Sequence, residues 1–199
     1  MRTSVQTKEI RDAILDATDQ LLARYGYGKM TIDDLAKEVG IGKGSIYLHF
    51  ASKEEIALSH VDRIIERLCT RLESISDEKI MPEKKLEKML LMRVTFRFDS
   101  VQHYTQSIND LLSSLRSKLL EHRKLYHENE AALLAKVIKE GQTKKKFQPG
   151  DPLETARLFL LATNSLLPFN LTTSELGERS DIEKKTQKIA KILLKGIKK

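Results

Sequence analysis

A chain of 199 residues with 40% hydrophobic content has enough material for one large domain or two small ones, which sets it apart from disordered sequences. Its single cysteine, Cys69, excludes an internal disulfide and any multi-cysteine metal site. The net charge of +7 invites a nucleic-acid reading, yet residues 1–55 hold eight Lys or Arg against nine Asp or Glu. The surplus sits later, at Lys144 to Lys146 and in the lysine-rich stretch from Lys184 to Lys199, so any case for DNA must rest on placed donors.

Met1 to Gln6 reads as a loose arm with no apolar signal-peptide region, and no window offers eighteen consecutive apolar residues, so a cytoplasmic protein is expected. The first helix is predicted from near Thr7 to about Tyr25, with Ile10, Ala13, Ile14, Ala17, Leu21 and Tyr25 along one stripe. Five of the nine glycines then fall between Gly26 and Gly44, which concentrates the sharp turns there. Thr31 is placed to cap a short helix whose first turn carries Asp33 and Asp34, where the helix dipole favours negative charge. Ile32, Leu35, Ala36 and Val39 give that helix one apolar face, and Gly40 ends it.

After Gly40-Ile41-Gly42 a second short helix is predicted over Lys43 to His49, and two helices joined by a three-residue glycine turn make a helix-turn-helix. Gly44 and Ser45 keep the first turn small, so the backbone can approach phosphates or base edges. Ile46 and Phe50, four apart, anchor the helix, which leaves Lys43, Ser45, Tyr47 and His49 as the expected reading surface. Ser52 with Glu55 forms the capping box of the next helix.

The run YGYGKMTIDDLAKEVGIGKGSIYLHFASKEEI, with its Tyr-Gly pair before the helix-turn-helix and a Tyr-x-x-Phe-x-x-Lys-Glu pattern after it, resembles the DNA-binding domain of TetR-family transcriptional regulators. The resemblance covers roughly residues 8 to 60. It implies that Thr31, Tyr47 and Lys53 contact backbone phosphates and that Lys43, Gly44, Ser45 and His49 face the groove. The family often has Ser or Thr where this chain has Gly42, so a phosphate contact that a hydroxyl could make is lost. For the whole chain it implies an all-α fold of about nine helices, with a DNA-binding domain over 1–51 and a larger helical regulatory domain over 52–199. It also implies a ligand pocket among the later helices and a homodimer.

In the expected regulatory domain, Leu58, Val61, Ile65, Leu68, Leu72 and Ile75 alternate by three and four residues along helix four, a seam that would link the reading head to the body. Pro82 suits the first turn of helix five, and Asp99-Ser100 marks its end. A single helix from Glu83 to Glu140 would be about 85 Å long, so further breaks are placed near Ser113 to Ser117. Met89, Met92, Phe96, Phe98, Tyr104, Leu112, Leu115, Tyr126 and Phe159 are the apolar candidates for a ligand chamber, with His103, Asn109 and Asn164 as polar contacts. Such residues at helical spacing build cores more often than pockets.

Asp151-Pro152-Leu153-Glu154 signals another helix start, and the helix that follows is apolar on nearly every side from Leu153 to Leu167. Ser180 with Glu183 is read as the box of the last helix, whose stripe is Ile182, Ile189, Leu193 and Ile197. Two such helices meeting their copies would form a four-helix dimer interface, within residues 151–199.

The expected function is thus a ligand-responsive DNA-binding regulator. It would be a repressor on a palindromic operator as a dimer, released by a small hydrophobic or amphipathic effector, with no cofactor, metal or membrane partner. A DNA-bound architectural or division-linked factor acting through a protein partner is the alternative within the same fold. An enzyme is the poorer reading, because the five histidines show no metal spacing and no Gly-rich phosphate loop follows a strand.

Overall fold

The computed structural model describes residues 2–101, 107–167 and 177–199, with side chains described over 7–100, 114–167 and 177–199. These residues form eight helices: α1 (Arg2–Lys29), α2 (Ile32–Val39), α3 (Lys43–His49), α4 (Lys53–Ser76), α5 (Pro82–Val101), α6 (Ser107–Thr143), α7 (Pro152–Asn164) and α8 (Arg179–Ile197). Apart from one isolated antiparallel bridge between Phe147 and Lys198, no extended pairing occurs among the described residues. A ninth helix is not among them either.

The chain divides into two compact units, one built from residues up to Ile64 with the stretch ending at Leu120, the other from Ile65 through α5 and from Glu121 to Lys199. Helix α4 contributes its first half to one and its second half to the other.

In the first unit α1 starts earlier than its apolar stripe predicts and runs past the predicted end near Tyr25 to Lys29, kinked at Gly26, which takes φ 76° and ψ 167°, a backbone state that side chains disfavour. Ile14, Ala17 and Leu21 of the stripe are buried, while Tyr25 is exposed. Helix α2 begins at a complete capping box: the Thr31 hydroxyl accepts from the Asp34 N–H at 3.1 Å, and Asp34 Oδ2 accepts from the Thr31 N–H at 3.1 Å. It ends at Gly40, whose left-handed φ of 75° lets the N–H groups of Gly40 and Ile41 turn back to the Lys37 and Ala36 carbonyls. Helix α3 has no side-chain cap, since its N-cap is Gly42. The box opening α4 closes one residue early: Ser52 Oγ accepts from the Glu55 N–H, but Glu55 Oε2 accepts from the Ala51 N–H.

In the second unit the core gathers Leu68, Leu72 and Ile75 of α4, Leu86, Met89 and Leu90 of α5, Leu134, Val137 and Ile138 of α6, Phe159 and Leu160 of α7, and Ala190 and Leu194 of α8. The seam predicted for α4 is therefore buried where it joins this unit, whereas Val61 and Ile65 are half-buried. Leu115 of α6, in the first unit, has φ −119° and ψ 17°, which breaks the long helix inside the predicted Ser113 to Ser117 window. Helix α7 starts as its sequence dictates, with Asp151 Oδ1 accepting from the Leu153 and Glu154 N–H groups and Pro152 at the first position.

The start of α8 differs from its prediction. The helix is capped at Glu178 without a side-chain bond, and Ser180 lies inside its first turn. Arg179 explains the shift, because it pairs with both Asp99 oxygens, at 2.7 and 3.0 Å, and with Glu183 at 3.2 Å, fixing the first residues of the helix on the end of α5. Within α8, Ile182, Thr186, Ala190 and Leu194 form the buried line, and Ile189, Leu193 and Ile197 are half-buried beside it.

Candidate nucleic-acid interface

Helix α3 is held by two apolar anchors one turn apart, since Ile46 and Phe50 are both buried. The opposite side is bare. Lys43 and Gly44 are exposed, Tyr47 is 49% exposed, and Ser45 and His49 are half-buried. The most exposed side chain of the helix is Leu48, at 84%, which the sequence reading passed over. The signal was available: a residue two positions from each of two buried anchors lies about 200° round the helix from the first of them, on its far side.

Charge is sparse and placed. Lys43 Nζ meets Asp33 Oδ2 at 2.8 Å in solvent, and this hydrogen bond raises the Lys43 pKa. An exposed pair of this kind is weak and screened, so the ammonium can exchange its carboxylate for a phosphate at small cost. Thr31 is engaged with Asp34, its hydroxyl donating to Oδ2 at 2.6 Å. That hydrogen bond holds the Asp34 carboxyl below the usual carboxylate range. Thr31 therefore sets the start of α2, and any phosphate contact from its hydroxyl must compete with this bond.

Lys53 is turned partly inward. Its ammonium donates to the carbonyls of Tyr27 at 2.8 Å and Met30 at 3.0 Å, and lies 4.5 Å from the centre of the Tyr27 ring. Burial lowers its pKa. Two of its three N–H groups thus tie the start of α4 to the corner between α1 and α2, which leaves at most one for a phosphate.

Arg11 is a second support that the sequence did not announce. Its Nη1 donates to the His49 carbonyl at 2.7 Å, its Nη2 to Ser59 Oγ at 3.2 Å, and its guanidinium lies 4.0 Å over the Phe50 ring. One side chain of α1 therefore fixes the end of α3 against α4. No local pattern reveals such a residue, because its partners are a backbone carbonyl 38 positions away and a serine 48 away.

The expected ligand residues separate into groups. Met89 and Phe159 are buried in the core of the second unit, and Met92 and Phe96 are half-buried against it. Tyr126 is half-buried, its hydroxyl 3.1 Å from His122 Nδ1 on the same helix. His103 and Tyr104 lie outside the described residues, as do the side chains of Asn109 and Leu112. Asn164 is in place but its partners are charged: Oδ1 accepts from Arg93 Nη2 at 2.6 Å and from Arg97 Nη1 at 3.1 Å. Arg93, fully buried, also donates through Nε to Glu130 and through Nη1 to Thr163 Oγ1 at 3.0 Å. The sequence signal for this cluster was an arginine set among Leu90, Val94 and Phe98 on the buried side of α5.

Among the described residues no group of three or more His, Cys, Asp or Glu is placed to hold a metal ion. No helix among them is long and apolar enough to cross a membrane.

Comparison with known proteins agrees with this geometry. Residues 14–59 match the family model described as bacterial regulatory proteins, tetR family. The chain is 25% identical over 188 residues to a fatty acid metabolism regulator protein of Bacillus subtilis, covering 92% of this chain and 93% of that one. It is 24% identical over 169 residues to the transcriptional repressor KstR2 of Mycobacterium tuberculosis, covering 81% of each. A solved structure of the regulator FadR from Bacillus subtilis, in complex with stearoyl-CoA, superposes with a TM-score of 0.68 at 20% identity, over 93% of this chain and 98% of that one. A capped α2, a glycine turn, and an α3 anchored on one side and bare on the other thus stand within the stretch that matches the tetR-family model, which is the arrangement of a DNA-binding transcriptional regulator, as the relatives that match most of the chain are named.

Proposed function

We propose that this regulator is a repressor that binds an approximately palindromic operator as a homodimer in the cytoplasm and leaves it when an amphipathic effector with a long apolar chain binds its helical body. The observation that carries the reading is the bare face of α3, where Lys43, Gly44, Ser45, Tyr47, Leu48 and His49 are available to a major groove while Ile46 and Phe50 hold the helix from behind. Tyr47, Lys43, Thr31 and the remaining N–H of Lys53 are the phosphate contacts; Gly44, Ser45 and His49 approach base edges, and Leu48 suits the methyl group of thymine. We take residues 1–51 as the reading head and 52–199 as the regulatory body.

Dimerisation is supported by the outer surfaces of α7 and α8, where Leu158, Leu161 and Ile192 are 54%, 64% and 71% exposed on helices already well packed on their inner sides. One seven-residue reading helix makes few base contacts, so two related by a twofold axis supply the specificity that one lacks. The effector class is supported by the relatives named for fatty acid metabolism and by the stearoyl-CoA bound to FadR. Met92 and Phe96, half-buried on the core, are suitable neighbours for an alkyl chain. An effector that prefers a body conformation incompatible with two successive major grooves lowers DNA affinity by its differential affinity for the two states. Helix α4, unbroken from Lys53 to Ser76, joins the phosphate-facing end to the body core.

The test is titration of a selected operator complex with palmitoyl-CoA, palmitate and octyl glucoside, read by fluorescence anisotropy. Release by an acyl compound at concentrations where octyl glucoside does nothing supports the reading; retention of the operator in all three contradicts it.

A further inference from the structure

The positive charge of the chain does not lie in the reading head. Residues 1–55 hold eight Lys or Arg against nine Asp or Glu, whereas residues 142–150 and 184–199 together hold ten lysines and no Asp or Glu. Those ten exceed the net charge of +7 of the whole chain. A polyanion such as DNA is drawn by summed charge, so a head without a positive surplus leaves that attraction to another surface of the molecule.

In the second unit the two lysine stretches are fastened to each other. The Lys199 N–H donates to the Lys146 carbonyl at 3.1 Å, the Gln148 N–H to the Ile197 carbonyl at 2.8 Å, and Gln148 Nε2 to the Lys198 carbonyl at 2.9 Å. The loop is also held from within, because the N–H groups of Lys146 and Phe147 reach the Gly141 carbonyl and Gln142 Nε2 reaches the carbonyls of Gln148 and Gly150. Lys145 is kept at a left-handed φ of 56°. Lys145, Lys146 and Lys198 are therefore exposed on a fixed pedestal.

Helix α8 extends the same charge. Lys184, Lys188, Lys191 and Lys195 follow at intervals of four, three and four, which puts them within about 60° of one another around the helix, roughly opposite the buried Ile182, Thr186, Ala190 and Leu194. All four are exposed, and they span about 16 Å along the axis. Elsewhere lysines meet carboxylates: Lys43 with Asp33, Lys84 with Glu87, Lys88 with Glu78 and Lys136 with Asp77. On α8 only Lys184 has one among the described residues, Asp181 at 3.6 Å. Like charges gathered this way repel one another and oppose folding until a polyanion covers them.

We propose that this lysine face of the second unit grips the phosphate backbone of duplex DNA without regard to sequence, as a second DNA contact separate from α3. Composition favours a duplex over other polyanions. No aromatic residue occurs from 184 to 199 and Phe147 is buried, so the face has no platform on which the bases of a single strand could stack. Stable adhesion to a lipid surface needs an apolar anchor beside the charge, and among the described residues Ile192 is the one large apolar side chain exposed on α8. Lysine is a point charge on a flexible stem, suited to neutralising phosphates rather than reading bases.

The experiment uses the full-length protein, a triple variant (Lys188→Gln, Lys191→Gln, Lys195→Gln) and a double variant (Lys145→Gln, Lys146→Gln). Each is titrated with a duplex lacking any selected site, with one strand of that duplex, and with vesicles of phosphatidylcholine and phosphatidylserine, at several salt concentrations. The triple variant should lower the slope of log duplex affinity against log salt by about 2–3, and the double variant by about 1–2. Base preference on a selected operator should be unchanged, and urea unfolding should shift to equal or higher denaturant as the mutual repulsion is removed. The double variant, remote in sequence from Ile192, decides the matter if the triple alters the mass measured by sedimentation. Unchanged slopes in both variants overturn the proposal, as does failure of the unmodified protein to bind the duplex at low salt. A loss seen only with vesicles or with the single strand overturns it too. If no operator can be selected yet both variants lose duplex affinity as stated, the reading of α3 falls and the lysine face stands.

Discussion

Lys43 and Asp33 meet in open solvent at the edge of the reading helix, whereas Arg93 and Glu130 meet inside the helical body with almost no exposure on either side. Both are single cation–carboxylate pairs, yet their surroundings give them opposite properties. The exposed pair is screened and easily exchanged, so in the proposed docking a phosphate can replace the carboxylate at small cost. The buried pair gains little over an apolar replacement but is costly to break, because removing one member leaves the other charged and dry. In this protein charge is exchangeable at the exposed edge of α3 and fixed where it organises the interior.

The largest expected effect comes from breaking the fixed pair. Arg93→Met should destabilise the protein by about 3–5 kcal/mol in urea unfolding, and adding Glu130→Met should recover much of that loss. If the single change costs under about 1 kcal/mol, the Arg93–Glu130 pair does not hold the interior together, and the contrast between the two regions disappears.

Lys53 stands between the extremes, with its ammonium on two backbone carbonyls and its position still compatible with DNA. Lys53→Ala should cost about 1.5–3 kcal/mol of stability. It should also lower the slope of log affinity against log salt by about one. Loss of stability with an unchanged slope would make it a purely internal strut. Lys43→Ala should lower the slope by a similar amount with hardly any change in the unfolding curve, which separates the exchangeable lysine from the partly committed one. Leu48→Ala should leave the slope unchanged and relax base preference at one operator position by about 1 kcal/mol, measured by competition between single-base variants. A uniform loss over all variants would place Leu48 on the sugar-phosphate backbone instead.

The smallest effect is a pH dependence. The Thr31 hydroxyl holds the Asp34 carboxyl below its ordinary value, so this contact adds stability at pH values above the ordinary carboxylate pKa and loses it as pH falls through the lowered one. Thr31→Val should therefore flatten the acid limb of the stability profile slightly. An unaltered limb would show that the box is not populated in solution.

The parts legible in the sequence are those set by neighbours in the chain. Thr31 with Asp34, the turn at Gly40, Ile46 with Phe50 and Asp151-Pro152 are all written within four residues, and each does in the structure what its spacing implies. Arg11 with His49, Arg93 with Glu130 and Arg179 with Asp99 join residues 37 to 80 positions apart, so no window of sequence contains both partners. For that reason the start of α8 differs from its prediction, and nothing in the local sequence announces that two arginines converge on Asn164. Leu48 was legible but overlooked, since polar side chains drew attention on a helix whose most exposed residue is apolar.

The central claim is that α3 reads DNA as one of two symmetric heads. Selection of random duplexes by the purified protein at two salt concentrations, with the bound sites sequenced, tests it most directly. The account predicts enrichment of an inverted repeat whose half-site centres are one or more helical turns apart, persisting at the higher salt. Recovery of single, unpaired half-sites, or of sequences no different from the starting pool, would contradict it.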